Sequence, residues 1–143
     1  MVRINIIHPK FLADQHLIAE YNETLMLLGY VRKHPKLELS KIPQRYKLGK
    51  GHILFFKDKL KYLDKRFKII KEEMKNRGFS GEIDIKLEKF DKKLINDWKP
   101  EPSDKKIIKK RLIEKINLKP NYYRYYKEKK PKEFFIKLIE NAK

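Results

Sequence analysis

Between Phe56 and Met74 the apolar positions fall at Phe56, Leu60, Leu63, Phe67, Ile70 and Met74, in alternating steps of four and three. That is the repeat of a helix with one face turned to a core. It predicts a helix from about Ile53 to Arg77, stopped by Gly78. An earlier stripe, Leu17, Ile18, Tyr21, Leu25 and Leu28, predicts a helix that Pro9 opens at its first position and that ends near His34, ahead of Pro35. Ile108, Leu112 and Ile116 predict a third helix over about 104–117, with Ser103 as its N-cap and Pro120 beyond its end. Pro131 opens a last short helix through Phe134, Phe135, Leu138 and Ile139.

The segments between these stripes read differently. Residues 1–8 are a short apolar lead-in, and residues 35–52, with two prolines and two glycines, are a basic loop. Over residues 79–102, Ile83, Ile85 and Leu87 alternate with charges, which fits a short strand or an extended loop, and "DWKPEPS" is loop. No repeat and no domain boundary interrupts the chain. The fold class predicted is mainly α: a compact single domain of about three main helices, an extended N-terminal segment, long loops and an extra C-terminal helix.

Composition narrows the function. A chain of 143 residues with 41% hydrophobic positions suits one core. The 37 lysines and arginines outnumber 19 acids for a formal charge of +18, which calls for a polyanionic partner: nucleic acid, or an anionic membrane surface. The absence of cysteine excludes disulfides and a thiol nucleophile and suggests an intracellular protein. The start, "MVRINIIHPK", is too short an apolar run for a signal segment, and no run approaches membrane-spanning length. A soluble, cytoplasmic protein is expected, associated with the nucleoid when bound to DNA.

Against this charge the stretch "LADQHLIAEYNE", Leu12 to Glu23, stands out as acidic. His16, Glu20 and Glu23 share one helical stripe roughly opposite the apolar face, whereas Asp14 falls near that face and reads as a buried, paired or capping acid. The stripe admits three readings. It is a solvated surface or counter-charge for nearby cations; or one carboxylate manages protons or a developing cation; or His16, Glu20 and Asp14 hold a divalent metal. Spacing alone leaves Glu20 and Glu23 equivalent. The run "NYYRYYK", Asn121 to Lys127, interleaves four tyrosines with Arg124 and Lys127, offering stacking faces and cations to nucleic acid, or packing two of its rings into the core. "VRKHPK" is a second basic cluster at a helix C-terminus, where pairing with the helix dipole is the simpler role. "LGKGH" lacks the Gly-Lys-Ser/Thr ending of a nucleotide-binding loop, although its backbone could approach a phosphate.

Several blocks occurring in one order are more specific than any of these. "RIN" at 3–5, "LADQHLIAEYNE" at 12–23, "GYVRKH" at 29–34, "LGKGHILFFKDKLKYLDKR" at 48–66, "RGF" at 77–79, "RLIEKI" at 111–116 and "KPNYYRYYK" at 119–127 resemble the phage-type pyrimidine-dimer DNA glycosylases, the small endonuclease V family of T-even phages. The resemblance runs to about Lys127 and makes residues 1–143 one glycosylase-like domain with 128–143 as a C-terminal extension. It implies a monomeric enzyme acting on lesion-containing double-stranded DNA, without metal, cofactor or membrane, with glycosylase and abasic-site lyase activities. It makes the α-amine of Val2, exposed when Met1 is removed, the nucleophile, and Glu23 the catalytic carboxylate. It also implies substrate or DNA contacts by Arg3, His16, Arg32, Lys33, Arg111, Lys115, Tyr122, Tyr123 and Arg124, with Gln15 and Glu20 in support.

The chain departs from that family at Asn22 and Met26, where the phage enzymes carry arginines close to the glutamate. Residues 80–96 have no counterpart. Two alternatives therefore stand beside the dimer glycosylase: the same scaffold acting on abasic or ring-opened purine sites, and a non-catalytic basic DNA-binding module.

Overall fold

The computed structural model describes residues 2–143; Met1 lies outside the described residues. Helix α1 spans Asp14–Lys33, α2 His52–Phe56, α3 Leu60–Asn76, α4 Pro102–Leu118 and α5 Lys132–Glu140. A two-stranded antiparallel hairpin, β1 at Arg124–Tyr125 and β2 at Glu128–Lys129, joins α4 to α5. The fold is mainly α, as the pattern predicts.

Every position of the Phe56-to-Met74 stripe is buried, and Leu17, Tyr21 and Leu28 of the first stripe are buried with it. Helices α1 and α3 pack together along these faces, with the rings of Tyr21 and Phe67 stacked 5.0 Å apart. Each large apolar side chain withdrawn from water along this seam contributes roughly 1.5–3 kcal/mol. Ile108, Leu112 and Ile116 of α4 join the core, and α5 packs its Phe135 and Ile139 onto α4 and the turn at Pro9–Phe11.

Three boundaries differ from those expected. Pro9 opens a separate 3-10 turn, Pro9–Phe11, and α1 begins only at Asp14. The turn is held by Arg77, whose guanidinium donates to the carbonyls of Pro9 (3.1 Å) and Leu12 (2.8 Å). The predicted second helix is two: the chain breaks at Lys57–Lys59, where Lys59 leaves helical geometry and its ammonium takes the Phe55 carbonyl at 2.8 Å. The apolar period crosses the break unaltered, which is why the pattern hides it. Helix α4 starts with Pro102, capped at Glu101, whose N–H donates to the Asp104 carboxylate at 2.8 Å. Ser103 is therefore inside the helix, its hydroxyl accepting from Arg45 at 3.1 Å. Of the two forms the alternation allowed for residues 80–96, the chain takes the extended loop, with 3-10 turns at Leu87–Lys89 and Lys92–Leu94, and Ile83 is exposed.

Gly78, at φ +82°, lets the Phe79 N–H return to the Met74 carbonyl at 2.8 Å and so ends α3 where expected. No helix among the described residues is long and apolar enough to cross a membrane.

Candidate active site on the face of helix α1

Residues Val2–Ile7 form an extended segment whose members are buried except for the half-buried Arg3. The segment belongs to no sheet, so its backbone groups must find partners among side chains or pay for desolvation. The Arg3 N–H donates to Glu23 Oε1 at 2.7 Å, and the Asn5 N–H to Glu20 Oε1 at 3.1 Å. Between them the Ile4 N–H donates to His52 Nε2 at 2.8 Å, while the Ile4 carbonyl accepts from the Tyr46 hydroxyl at 2.9 Å. Two carboxylates of α1 thus act with His52 as a surrogate strand edge.

His52 reaches this position because Gly49 and Gly51, at φ +71° and +94°, turn the "LGKGH" loop back on itself. Its Nε2 accepts from Ile4, so the proton resides on Nδ1 and is donated to the Lys47 carbonyl at 2.8 Å. Burial lowers its pKa and keeps the ring neutral.

Glu20 has no exposure and is a buried ion-pair partner rather than part of a solvated face. Arg66 donates Nε to Glu20 Oε2 at 2.7 Å and Nη2 to Oε1 at 3.0 Å, and its Nη1 takes the Ile7 carbonyl. The pair brackets Ile6, which sits at φ +41°, a left-handed conformation that a β-branched residue adopts only under constraint.

Glu23, one turn further along, is half-buried and has no cation in salt-bridge contact among the described residues. Desolvation raises its pKa, and the Arg3 N–H and charge oppose that shift only in part. The two glutamates that spacing left equivalent are therefore different groups: Glu20 a locked structural anion, Glu23 an available carboxylate.

His16 lies one turn before Glu20. Burial first, then the charges of Arg3 and Lys115, push its pKa down to about 3. Its Nδ1 is buried with no hydrogen-bond partner among the described residues, and its ring lies 4.7 Å from that of Tyr123. Gln15 clamps the same segment, donating to the Tyr122 carbonyl at 2.9 Å and accepting from the Arg124 N–H at 3.0 Å.

The hairpin tip is held by Asp14. Tyr126 and Lys127, at φ +50° and +68°, point successive N–H groups at its carboxylate at 3.1 and 2.7 Å. Arg77 completes the anchor, donating to Asp14 at 2.9 Å and to Glu73 at 2.8 Å, with the rings of Tyr125 and Tyr126 4.6 and 4.9 Å from its guanidinium carbon. Tyr123, Tyr125 and Tyr126 are thus engaged by the protein. Tyr122 and Arg124 are left facing solvent.

The structure brings Gln15, His16, Tyr122, Tyr123 and Arg124 together at the start of α1, with Lys115 near His16, and Val2 and Arg3 together with Glu20 and Glu23 along its middle. Arg111 is one turn before Lys115, its guanidinium 3.6 Å from Glu114. Arg32 and Lys33 lie apart, about 15 Å from Glu23 along the helix. Asp14, His16 and Glu20 do not converge on one point, since Asp14 is engaged by the hairpin and Glu20 by Arg66.

Asn5, Tyr46, His52, Arg66 and Arg77 are structurally central and were not singled out by the sequence patterns. A signal existed: Arg66, Ile70, Glu73 and Arg77 follow one another at steps of four, three and four, placing three charges on the core stripe of α3. Charges in an apolar stripe require buried partners.

A family model described as pyrimidine dimer DNA glycosylase matches residues 1–87. The matched region contains the N-terminal segment, both α1 glutamates, His52, Arg66 and Arg77.

Proposed function

The chain belongs to the pyrimidine dimer DNA glycosylase family, and from this we propose that it excises cyclobutane-dimer pyrimidines and then nicks the strand as an abasic-site lyase, using the Val2 amine and Glu23. The observation that carries the proposal is the hydrogen bond from the Arg3 N–H to Glu23 Oε1 at 2.7 Å. The nitrogens of consecutive residues lie about 3–4 Å apart, so this bond keeps the Val2 nitrogen beside the carboxylate. The Val2 side chain is buried in the core and anchors the terminus from the other side.

Removal of Met1 turns that nitrogen into an α-amine. The ordinary pKa of such a group is about 7.7–8.0, which leaves a nucleophilic free-base fraction at neutral pH. The amine attacks C1′ of the damaged nucleotide, the glycosidic bond breaks with its electron pair passing to the leaving base, and ring opening gives an iminium joined to Val2. The Glu23 carboxylate stabilises the cationic sugar and iminium. A base then removes the C2′ proton, and the released pair expels the C3′ oxygen; water hydrolyses the imine and frees the enzyme. Glu23 is the base suited to that step, because partial burial makes it more basic than a free carboxylate.

Arg3 sets a cation beside this point, and Lys115, Tyr122 and Arg124 add two more cations and an exposed ring near the start of α1, suited to backbone phosphates and an unstacked base. A lesion inside a duplex must be extruded or bared to bring its C1′ to these groups.

The test is a dimer-containing duplex presented to the wild type and to Glu23→Gln. The proposal expects turnover to fall by about a hundredfold or more with binding nearly unchanged. Equal turnover in the two proteins overturns it.

A further inference from the structure

At the far end of α1, Tyr30, Lys33, His34, Lys36, Lys41 and Lys57 line a cavity of about 410 Å³ together with Glu38. Its charge is out of balance. Four lysines face one carboxylate, and Glu38 is already committed to Lys41 at 2.9 Å. The α1 C-terminus contributes about half a negative charge, leaving a surplus of roughly two and a half positive charges.

Lys57 sharpens the imbalance. It is buried, its ammonium donates to the Lys36 carbonyl, and no carboxylate is in salt-bridge contact with it among the described residues. A buried cation held by one neutral acceptor is costly unless an anion joins it.

Position connects this cavity to the proposed site. Tyr30 and His34, seven and eleven residues after Glu23, project within about 20° of its direction on α1. Their rings lie 4.5 Å apart. Along the edge of the same face, Asn22, Met26, Tyr30 and Lys33 are exposed, forming an open track from Glu23 to the cavity. The distance, about 15 Å, equals roughly four base-pair steps of a duplex.

We infer that this cavity is a phosphate site, filled by a DNA backbone phosphate about four nucleotides from the nucleotide at Glu23. This placement rests on the proposed glycosylase reading; the charge argument for a phosphate does not. Such a contact carries no base information. It supplies affinity and register, and it does so away from Asn22 and Met26, the uncharged positions beside Glu23.

Inorganic phosphate, titrated into the full chain and followed by amide chemical shifts, tests the site without DNA, lesion or amine chemistry. Saturable shifts confined to residues 33–41 and 57, weakened at least severalfold in Lys57→Met, are expected. Because Lys57 is buried, the solvent-facing double variant Lys36→Gln/Lys41→Gln is measured alongside and should show the same weakening. No saturable shift, or equal shifts in both variants, overturns the site. Binding to an undamaged duplex over a range of salt then identifies the source of the phosphate. A slope of log K on log salt reduced by about one in the double variant supports a backbone phosphate. An unchanged slope overturns that assignment in favour of a free phosphate compound.

Discussion

The Arg3 N–H and the Glu23 carboxylate meet at 2.7 Å, although twenty residues separate them. This bond joins the extended N-terminus to the middle of α1 and makes one carboxylate both a structural acceptor and the proposed catalytic group.

That double role predicts a conflict between stability and catalysis. The pKa of Glu23 is raised, chiefly by burial, above its ordinary 4.5. A carboxyl with a raised folded-state pKa contributes stability that is complete below the unfolded value and lost as pH rises through the folded one. At pH 7 the ionised side chain is thus a liability. Glu23→Gln, which retains an acceptor for Arg3, should melt higher at pH 7, by an amount that solvent screening of this half-exposed group keeps small. The gap should close as pH falls toward 4, measured by calorimetry.

His16 works in the opposite sense. Its pKa is lowered from 6.5 to about 3, so stability present above pH 6.5 is lost as pH falls between those values. His16→Phe keeps a ring against Tyr123 and removes the titration. Urea midpoints from pH 7 to pH 3.5 should decline less steeply in this variant than in the wild type.

Glu20 and Arg66 pin the strained turn at Ile6. Glu20→Gln leaves a buried guanidinium without its counter-ion and should cost about 3–5 kcal/mol in urea unfolding. Adding Arg66→Met should recover part of that loss, because no buried charge then lacks a partner.

Asp14 holds the hairpin through two successive amides and Arg77. Asp14→Asn should cost about 1.5–3 kcal/mol, the range for hydrogen bonds to a charged group. In steady-state nicking, KM should rise severalfold while kcat holds, since the hairpin and the turn before it present Arg124 and Tyr122 to DNA and the reacting groups lie elsewhere.

Burial patterns were the legible part of this chain. The stripes around Phe67, Leu17 and Leu112 located three long helices, because an apolar face repeats locally and needs no knowledge of its partner. The partners were not legible. Nothing near Glu20 in sequence indicates Arg66, forty-six residues away, and nothing in the "LGKGH" loop indicates that His52 accepts from the Ile4 N–H, forty-eight residues before it. The pattern also treated His16, Glu20 and Glu23 as outward-facing, because an extended segment with no periodicity of its own covers that side of α1. The four-tyrosine run similarly divides: Asp14 and Arg77 capture its C-terminal half, Tyr123 packs against His16, and Tyr122 is left exposed without either anchor. The blocks from "RIN" to "KPNYYRYYK" singled out Glu23, which spacing alone did not separate from Glu20.

The central claim is that the Val2 amine attacks the sugar beside Glu23, and borohydride trapping tests it most directly. Protein whose mass proves that Met1 is absent is mixed with a duplex carrying an abasic site, reduced and digested. The account predicts a stable adduct whose added mass lies on the peptide beginning at Val2, and its loss when the amine is first acetylated. An adduct on a lysine, or none from protein with a free Val2 amine, would contradict the account.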